Sequence, residues 1–582
     1  MPRTLPSQAA ILVLAAMPLL SGCYRKASVG DPRSDPERAP IQAAQQSEPI
    51  PVNSTIRFRD RSVEAGVNFT YHNDELHSDF SILESLGGGV AVIDYDQDGR
   101  LDLCFSGGGA FEDRQAVGAP LGLFRSLANW EFIDVTLAAE VGDSTYYSHG
   151  VCAADFDNDG FDDLLVTGYG GLILYHNRGD GHFQRLTATG LDDHLWSSSA
   201  AWGDFTGDGI LDLYVAHYVD LSFDNNPHCE GLTGESRDVC PPRRFEPLPH
   251  LIYVGNGDGT FRDATEESEI QPSGKGLGVV AADVDLDGDL DVYVTNDTVP
   301  NLLYRNDGQG KFTDISQISG TAFSDQGTPD GSMGVDVGDY DSDGLPDLWV
   351  TNYERENNAL YRNLGGGLFR HASQSAGIAA LGAMWVGWGT RFMDADLDGD
   401  EDLIVTNGHV IRFPNNSPRR QLPLMLENRD ARFINVAAAA GDYMKSPHCG
   451  RGLATGDLDN DGDEDVVITH VNEPVAILAN ESATNANWLL IRIIGRQSSR
   501  TSIGSSAVAR IGEHRMLRQI RGGSSFASTS DPRIHFGCGS NSKVDELTIT
   551  WGSGSQVTLK DVACNQVISV VEPAKTAIQA SN

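Results

Sequence analysis

Asp94-Tyr95-Asp96-Gln97-Asp98-Gly99-Arg100-Leu101-Asp102 packs four carboxylates and a glycine into nine residues. Like charges so close repel one another and resist closing without a cation, so the phrase reads as a metal loop, the alternative being a solvated acidic Asp-Gly turn. Carboxylates at positions 1, 3, 5 and 9 offer hard oxygen donors, which suit Ca²⁺ and disfavour zinc or copper. Gly99 at position 6 permits the sharp turn that aims the donors at one point. A calcium loop of the helix-loop-helix kind needs a bidentate Glu at position 12, and here that position is Phe105. The residues on either side, Val90-Ala-Val-Ile93 and Leu103-Cys-Phe105, are short apolar runs that read as buried strands. The loop therefore joins two strands.

The phrase occurs seven times. After Asp94, Asp96, Asp98 and Asp102 come Asp155, Asp157, Asp159, Asp163; Asp204, Thr206, Asp208, Asp212; and Asp283, Asp285, Asp287, Asp291. The last three copies are Asp339, Asp341, Asp343, Asp347; Asp394, Asp396, Asp398, Asp402; and Asp457, Asp459, Asp461, Asp465. Thr206 alone breaks the carboxylate pattern. All 28 are candidate metal ligands, for up to seven structural Ca²⁺. A second signature follows the loops: Asn177 to Phe183 (NRGDGHF), Gly255 to Phe261, Asn306 to Phe312, Asn363 to Phe369, and the shortened Asn428 to Phe433. Its Gly and Asn residues supply the positive backbone angles of tight turns.

A repeat of about 60 residues with several short strands per unit predicts an all-β, seven-bladed β-propeller over residues 55–484. Arg57-Phe58-Arg59-Asp60 resembles the strand that ends each unit but has no unit before it. It is expected to complete the last blade and close the ring. The longest interval between loops contains residues 218–250, which predict an extended loop over one face, with Cys229 and Cys240 as a disulfide pair. Cys538 with Cys564 is a second candidate pair. Trp488 to Ile494, Ser506 to Ile511 and Glu546 to Trp551 predict a small β-domain over 485–574, followed by a tail, 575–582.

Arg3 followed by apolar Ala9 to Leu20 reads as a signal segment, too short for a spanning helix. Leu20-Ser21-Gly22-Cys23 resembles the cleavage box of bacterial lipoproteins, with Cys23 as the lipidated residue of segment 1–23. Residues 24–54, rich in Pro and polar residues, read as a disordered tether. The expected location is outside the cell, held to the outer membrane or cell surface by that lipid alone.

Taken together, the Asp loops and Asn-Gly-Gly-Phe turns resemble the FG-GAP/VCBS repeats of integrin-α-like propellers. Ser502 to Ser505, Gly523 to Ser528, Asp531 to Gly537 and Trp551 to Gly554 resemble the ASPIC/UnbV domain. The combination is similar to the cartilage acidic protein family. The resemblance implies a calcium-loaded propeller and a β-domain, exported and engaged in binding or adhesion.

The formal charge of −40 makes nucleic acid an unsuitable partner. The chain has no Gly-x-Ser-x-Gly elbow, phosphate loop or His-Glu-x-x-His. His149 and His448 occupy comparable places before the second and seventh loops, and Trp196, Trp202, Trp385 and Trp388 precede the third and sixth. Repeat position accounts for the His pair better than a catalytic pair does, and packing between blades accounts for the Trp set better than a sugar platform does. The expectation is a surface binding scaffold for an extracellular protein or glycan, not an enzyme. The alternative is a calcium-dependent hydrolase of polysaccharide or phosphoester.

Overall fold

A computed structural model of the chain describes residues 53–574, apart from Ser78, 271–273 and 483–484. The signal segment with Cys23, the tether as far as residue 52 and the tail from 575 lie outside the described residues.

Among the described residues, seven antiparallel sheets of four propeller strands each follow one another, the fourth joined by a short fifth strand, giving a β-propeller. In the fourth sheet, for example, Gly276–Ala282 pairs with Asp291–Asn296, then Leu302–Asn306, then Phe312–Asp314. The first strand of each sheet is innermost and the last is outermost. The second strands, such as Asp347–Asn352 (DLWVTN), are buried along their whole length, because neighbouring sheets cover both faces. The acidic loops all join first strand to second, so they share one face of the ring.

Phe58–Asp60 forms the outer strand of the seventh sheet, with Phe58 opposite Asn480 and Asp60 opposite Leu478. Ile56 and Phe58 are buried, and Arg61 Nη2 holds Glu481 Oε1 at 2.7 Å, 420 residues away. The expected closing strand is therefore present. Deleting residues 55–66 should lower the melting temperature steeply, because burying each large apolar side chain contributes about 1.5–3 kcal/mol. An unchanged melting temperature would show that this strand does not lock the ring.

The C-terminal region forms a three-stranded sheet, ordered Ile534–Gly539, Asn487–Ile494, Gln566–Val571, and a four-stranded sheet, ordered His514–Gln519, Ser506–Ile511, Lys543–Thr550, Gln556–Ala563. It packs with the propeller as one compact unit. A single buried cluster runs from Trp202, Phe205 and Leu290 to Ile503, Ile520 and Trp551. Between its two sheets the chain leaves the domain and enters the central channel. Gly522 and Gly523 pair with Ala281 and Val280 on the inner strand of the fourth sheet. Ser525 exchanges two backbone bonds with Val335 of the fifth, and its Oγ accepts from Thr390 N–H of the sixth. Ala527 carbonyl accepts from Val151 of the second sheet. Thr529 exchanges bonds with Val90 and Val92 of the first, and Asp531 N–H donates to Thr455 carbonyl of the seventh. Gly522 lies so close to Trp202 carbonyl of the third sheet that an added Cβ would sit 1.7 Å from it. Each blade otherwise presents an unpaired inner edge, and this segment satisfies edges that the channel would leave bare.

Charged residues close the channel on the domain side. Arg518 Nε lies 3.2 Å from Glu401 Oε1, and Arg521 Nε lies 3.4 Å from Asp336 Oδ1. Burial pulls the Arg521 guanidinium down to about 10. A buried cation of this kind persists because carboxylates face it.

Candidate metal centres and the cleft on the opposite face

The seven acidic loops share one hydrogen-bond pattern. The first-position carboxylate accepts from the glycine N–H at position 6, over 2.8–3.1 Å in every copy. The ninth-position carboxylate accepts twice. One oxygen takes the position-2 N–H, and the other takes an N–H on the third strand, from Ser126, Asn177, Gly255, Asn306, Asn363, Asn428 or Asn480. The fifth-position carboxylate accepts from the N–H two residues on, as Asp98 does from Arg100 at 3.0 Å. Each loop is thus fixed by its backbone, with side-chain oxygens left to converge.

Ligand atoms at positions 1, 3 and 9 lie within 4.8 Å of one another in the loops of Asp94, Asp155, Asp283 and Asp339. Buried oxygens with no partner point to what is missing: Asp94, Asp155 and Asp339 Oδ1 at position 1, Asp285 and Asp341 Oδ1 at position 3, and Thr206 Oγ1 in the third loop. Orphaned buried oxygens are costly, and a cation would satisfy them together. These residues fit a bound metal ion, and the all-oxygen donor set fits a hard one. Burial also pushes the ninth-position carboxyls up: Asp102 to about 8, Asp163 to about 9, Asp212 to about 7. Position 1 follows, with Asp155, Asp283, Asp339 and Asp457 at about 7.

Two features of these centres were not read from the sequence. The turn asparagine clamps neighbouring blades. Asn177 Nδ2 donates to Tyr95 carbonyl, inside the preceding blade's metal loop, at 2.8 Å. Asn306, Asn363, Asn428 and Asn480 do the same to Phe205, Val284, Tyr340 and Ala395. An Asn at the end of the third strand in five of the seven sheets was the signal, but a turn explained it equally well. The second feature is contact with the C-terminal domain. Gly537 N–H donates to Asp394 Oδ2 at 3.1 Å, His535 Nε2 meets Gly462 carbonyl at 2.8 Å, and Gln519 Nε2 donates to Asp283 carbonyl at 2.9 Å.

The opposite face carries a cleft of about 780 Å³. It lies where second strands end and first strands begin, under the long loop of residues 218–250. Cys229 and Cys240 in that loop form a disulfide, with Cα atoms 5.3 Å apart. Asp238 of the loop accepts from Arg412 and Phe413 N–H, anchoring it across the face to the sixth sheet's connection. The lining mixes aromatic and charged groups, including Tyr218, Asp297, Tyr353, Glu356, Trp388 and Arg244. Burial raises Asp297 to about 6, although Tyr218 OH donates to it at 2.6 Å. Burial and the nearby Asp330 raise Glu356 to about 8.

The remaining singled-out residues serve packing. His149 is sealed beside Tyr71, Tyr147 and Trp196, and His448 packs against both Tyr443 and His470, which are joined to each other by a 2.8 Å hydrogen bond. Trp196, Trp202 and Trp388 are buried and Trp385 is partly so. Cys538 and Cys564 are free thiols and not the expected second pair, and Cys538 Sγ donates to Phe536 carbonyl at 3.7 Å. Asp193 joins Ser197 Oγ and His217 Nε2, at 2.5 and 3.0 Å, in a fully sealed position. The carboxylate sits between the two partners, so serine has no imidazole to activate it.

Comparison with known proteins matches this architecture. An FG-GAP-like repeat model fits residues 94–166, 155–215, 250–294, 283–350 and 339–405, and an ASPIC and UnbV model fits 495–577. Cartilage acidic protein 1 of Mus musculus is 24% identical over 84% of this chain and 73% of its own. The Homo sapiens protein is 24% identical over 84% and 72%. Among solved structures, a lectin of Agrocybe aegerita that recognises non-reducing terminal N-acetylglucosamine aligns with a TM-score of 0.37 at 16% identity, covering 66% of this chain and 85% of that one. The chain therefore belongs with the FG-GAP-repeat propellers that end in an ASPIC and UnbV domain, and is similar over most of its length to cartilage acidic protein 1.

Proposed function

We propose that this chain is an exported, lipid-anchored scaffold, held rigid by calcium, that binds an extracellular protein or glycan through the cleft face. The observation that carries this reading is the placement of the cleft. It lies on the face away from the metal loops and the C-terminal domain, beneath a loop pinned by a disulfide and by Asp238. Aromatic faces and charges of both signs in one cleft suit a protein surface or a sugar with directed hydroxyls. Calcium at the acidic loops then acts structurally, since those loops face the C-terminal domain and not the cleft. Similarity to cartilage acidic protein 1 supports an extracellular role, the lipobox-like Leu20 to Cys23 supports the anchor, and the disulfide suits export.

Glycan and surface-protein arrays test the reading. Binding should require the folded, calcium-loaded protein and should fall about tenfold or more in Tyr353→Ala, because a buried aromatic anchor dominates such contacts. Binding unaffected by that change would place the ligand elsewhere. Turnover in a hydrolase panel, dependent on calcium, would replace the scaffold reading with an enzymatic one.

A further inference from the structure

The seven metal loops differ at one register position, on the third strand of each sheet. It is the residue just before Ser126, Asn177, Gly255, Asn306, Asn363, Asn428 or Asn480. The following N–H is tied to the ninth-position carboxylate, which holds this strand against the loop. In the first sheet the residue is Arg125, with Nε 2.5 Å from Asp96 Oδ2 and Nη2 3.1 Å from Asp98 Oδ2. In the fifth it is Arg362, with Nε 2.5 Å from Asp341 Oδ2 and Nη2 2.9 Å from Asp343 Oδ2. In the second, His176 Nε2 lies 3.1 Å from Asp157 Oδ2 and 3.4 Å from Asp159 Oδ2. These side chains point at positions 3 and 5 of their own loops; in the fourth sheet the residue is Arg305, which is exposed, and in the third and seventh it is the uncharged Val254 and Ala479.

The sixth sheet reverses the charge. Its residue is Glu427, 8% exposed. Oε1 accepts from Arg429 Nε at 2.5 Å, while Oε2 is buried with no partner. Glu427 adds repulsion to the burial that already raises Asp396 and Asp398. Five carboxylates therefore gather here: Asp394, Asp396, Asp398, Asp402 and Glu427. In the first loop, by contrast, Arg125 and Arg100 both hold Asp98, so cationic charge already stands beside the carboxylates.

We propose that this third-strand residue tunes how tightly its own loop holds a hard divalent ion, with Glu427 tightening the sixth loop and Arg125 and Arg362 loosening the first and fifth. The inference rests on the metal reading of the loops. Each added carboxylate strengthens attraction for a dication, and a guanidinium in the same place repels it. At separations of a few ångström this difference exceeds tenfold in affinity even with strong screening.

Native mass spectrometry of the full chain, with calcium added stepwise against a chelator of known affinity, resolves the filling steps. Glu427→Gln should weaken one filling step by about tenfold or more. Arg362→Glu should place a carboxylate at the same position of the fifth loop and tighten one step by a similar factor. That gain cannot arise from misfolding, and melting at saturating calcium checks that both variants fold. Filling steps unchanged in Glu427→Gln, or unchanged in Arg362→Glu, overturn the tuning while leaving the metal reading intact. A wild-type chain that takes up no ion overturns the metal reading and the tuning with it.

Discussion

Stripping divalent ions with a chelator at neutral pH should lower the melting temperature of the described fold by ten degrees or more. If the proposed calcium sites bind at about 10 µM and free calcium stands at about 1 mM, each occupied site contributes roughly 2.7 kcal/mol by mass action. Two or three such sites rival a domain's whole stability of about 5–15 kcal/mol. The pH dependence carries the sign of the effect. In an unfolded chain an Asp carboxyl titrates near 3.9. In the folded, ion-free chain burial raises Asp102 to about 8, Asp163 to about 9 and Asp212 to about 7. The folded state then holds protons that the unfolded state has released. Stability in chelator should therefore be greatest below about pH 4 and fall as pH rises through 7 to 9. Added calcium should oppose this loss, because it replaces the protons. Thermal melts at several pH values, with chelator and with calcium, measure both slopes. Superimposable melts at neutral pH would mean that the loops are ordinary acidic turns.

Phe526→Ala should cost about 3–5 kcal/mol, the usual range for emptying a buried aromatic site. Phe526 is fully buried at the channel centre, with its ring centroid 4.7 Å from Trp388 in an edge-to-face contact. It belongs to a cluster with Tyr71, Tyr147, Trp196 and Met333, drawn from several blades. No single blade can collapse to fill the gap, because the others hold the ring open. The channel segment belongs to the C-terminal domain by sequence and to the propeller by contact. Denaturant unfolding should therefore show one transition, moved to lower concentration, with no separate melting of the domain. Leu137→Ala, at a residue 85% exposed, should move it by no more than about 0.5 kcal/mol. A cost below about 1 kcal/mol for Phe526→Ala would mean that the segment fills the channel without bracing it.

The blades were legible because each uses a phrase whose chemistry allows few readings. Four carboxylates and a glycine at fixed spacing, followed by an apolar run, leave little room for helix, and Phe58–Asp60 was recognisable as an unpaired outer strand. The role of Gly522 to Asp531 was not legible. Glycine and serine in series read as a turn, and only the ring's geometry shows that their backbone groups meet inner strand edges. The residue before each turn asparagine was hidden for a different reason. Arginine, histidine, valine, alanine and glutamate all occur there, so a repeat found by its constancy passes over the position where the copies differ.

The channel segment also bears on the order in which the molecule can be made. Its rim closes only when Phe58–Asp60 reaches Ala476–Asn480, and its axle arrives later still, at Gly522 to Asp531. A growing chain cannot finish the wheel until nearly all of it has emerged, and until then the inner edges stay open to stray pairing. On the proposed exported, calcium-loaded reading, such a protein would gain from remaining unfolded during passage across a membrane and from meeting its divalent ions on the far side.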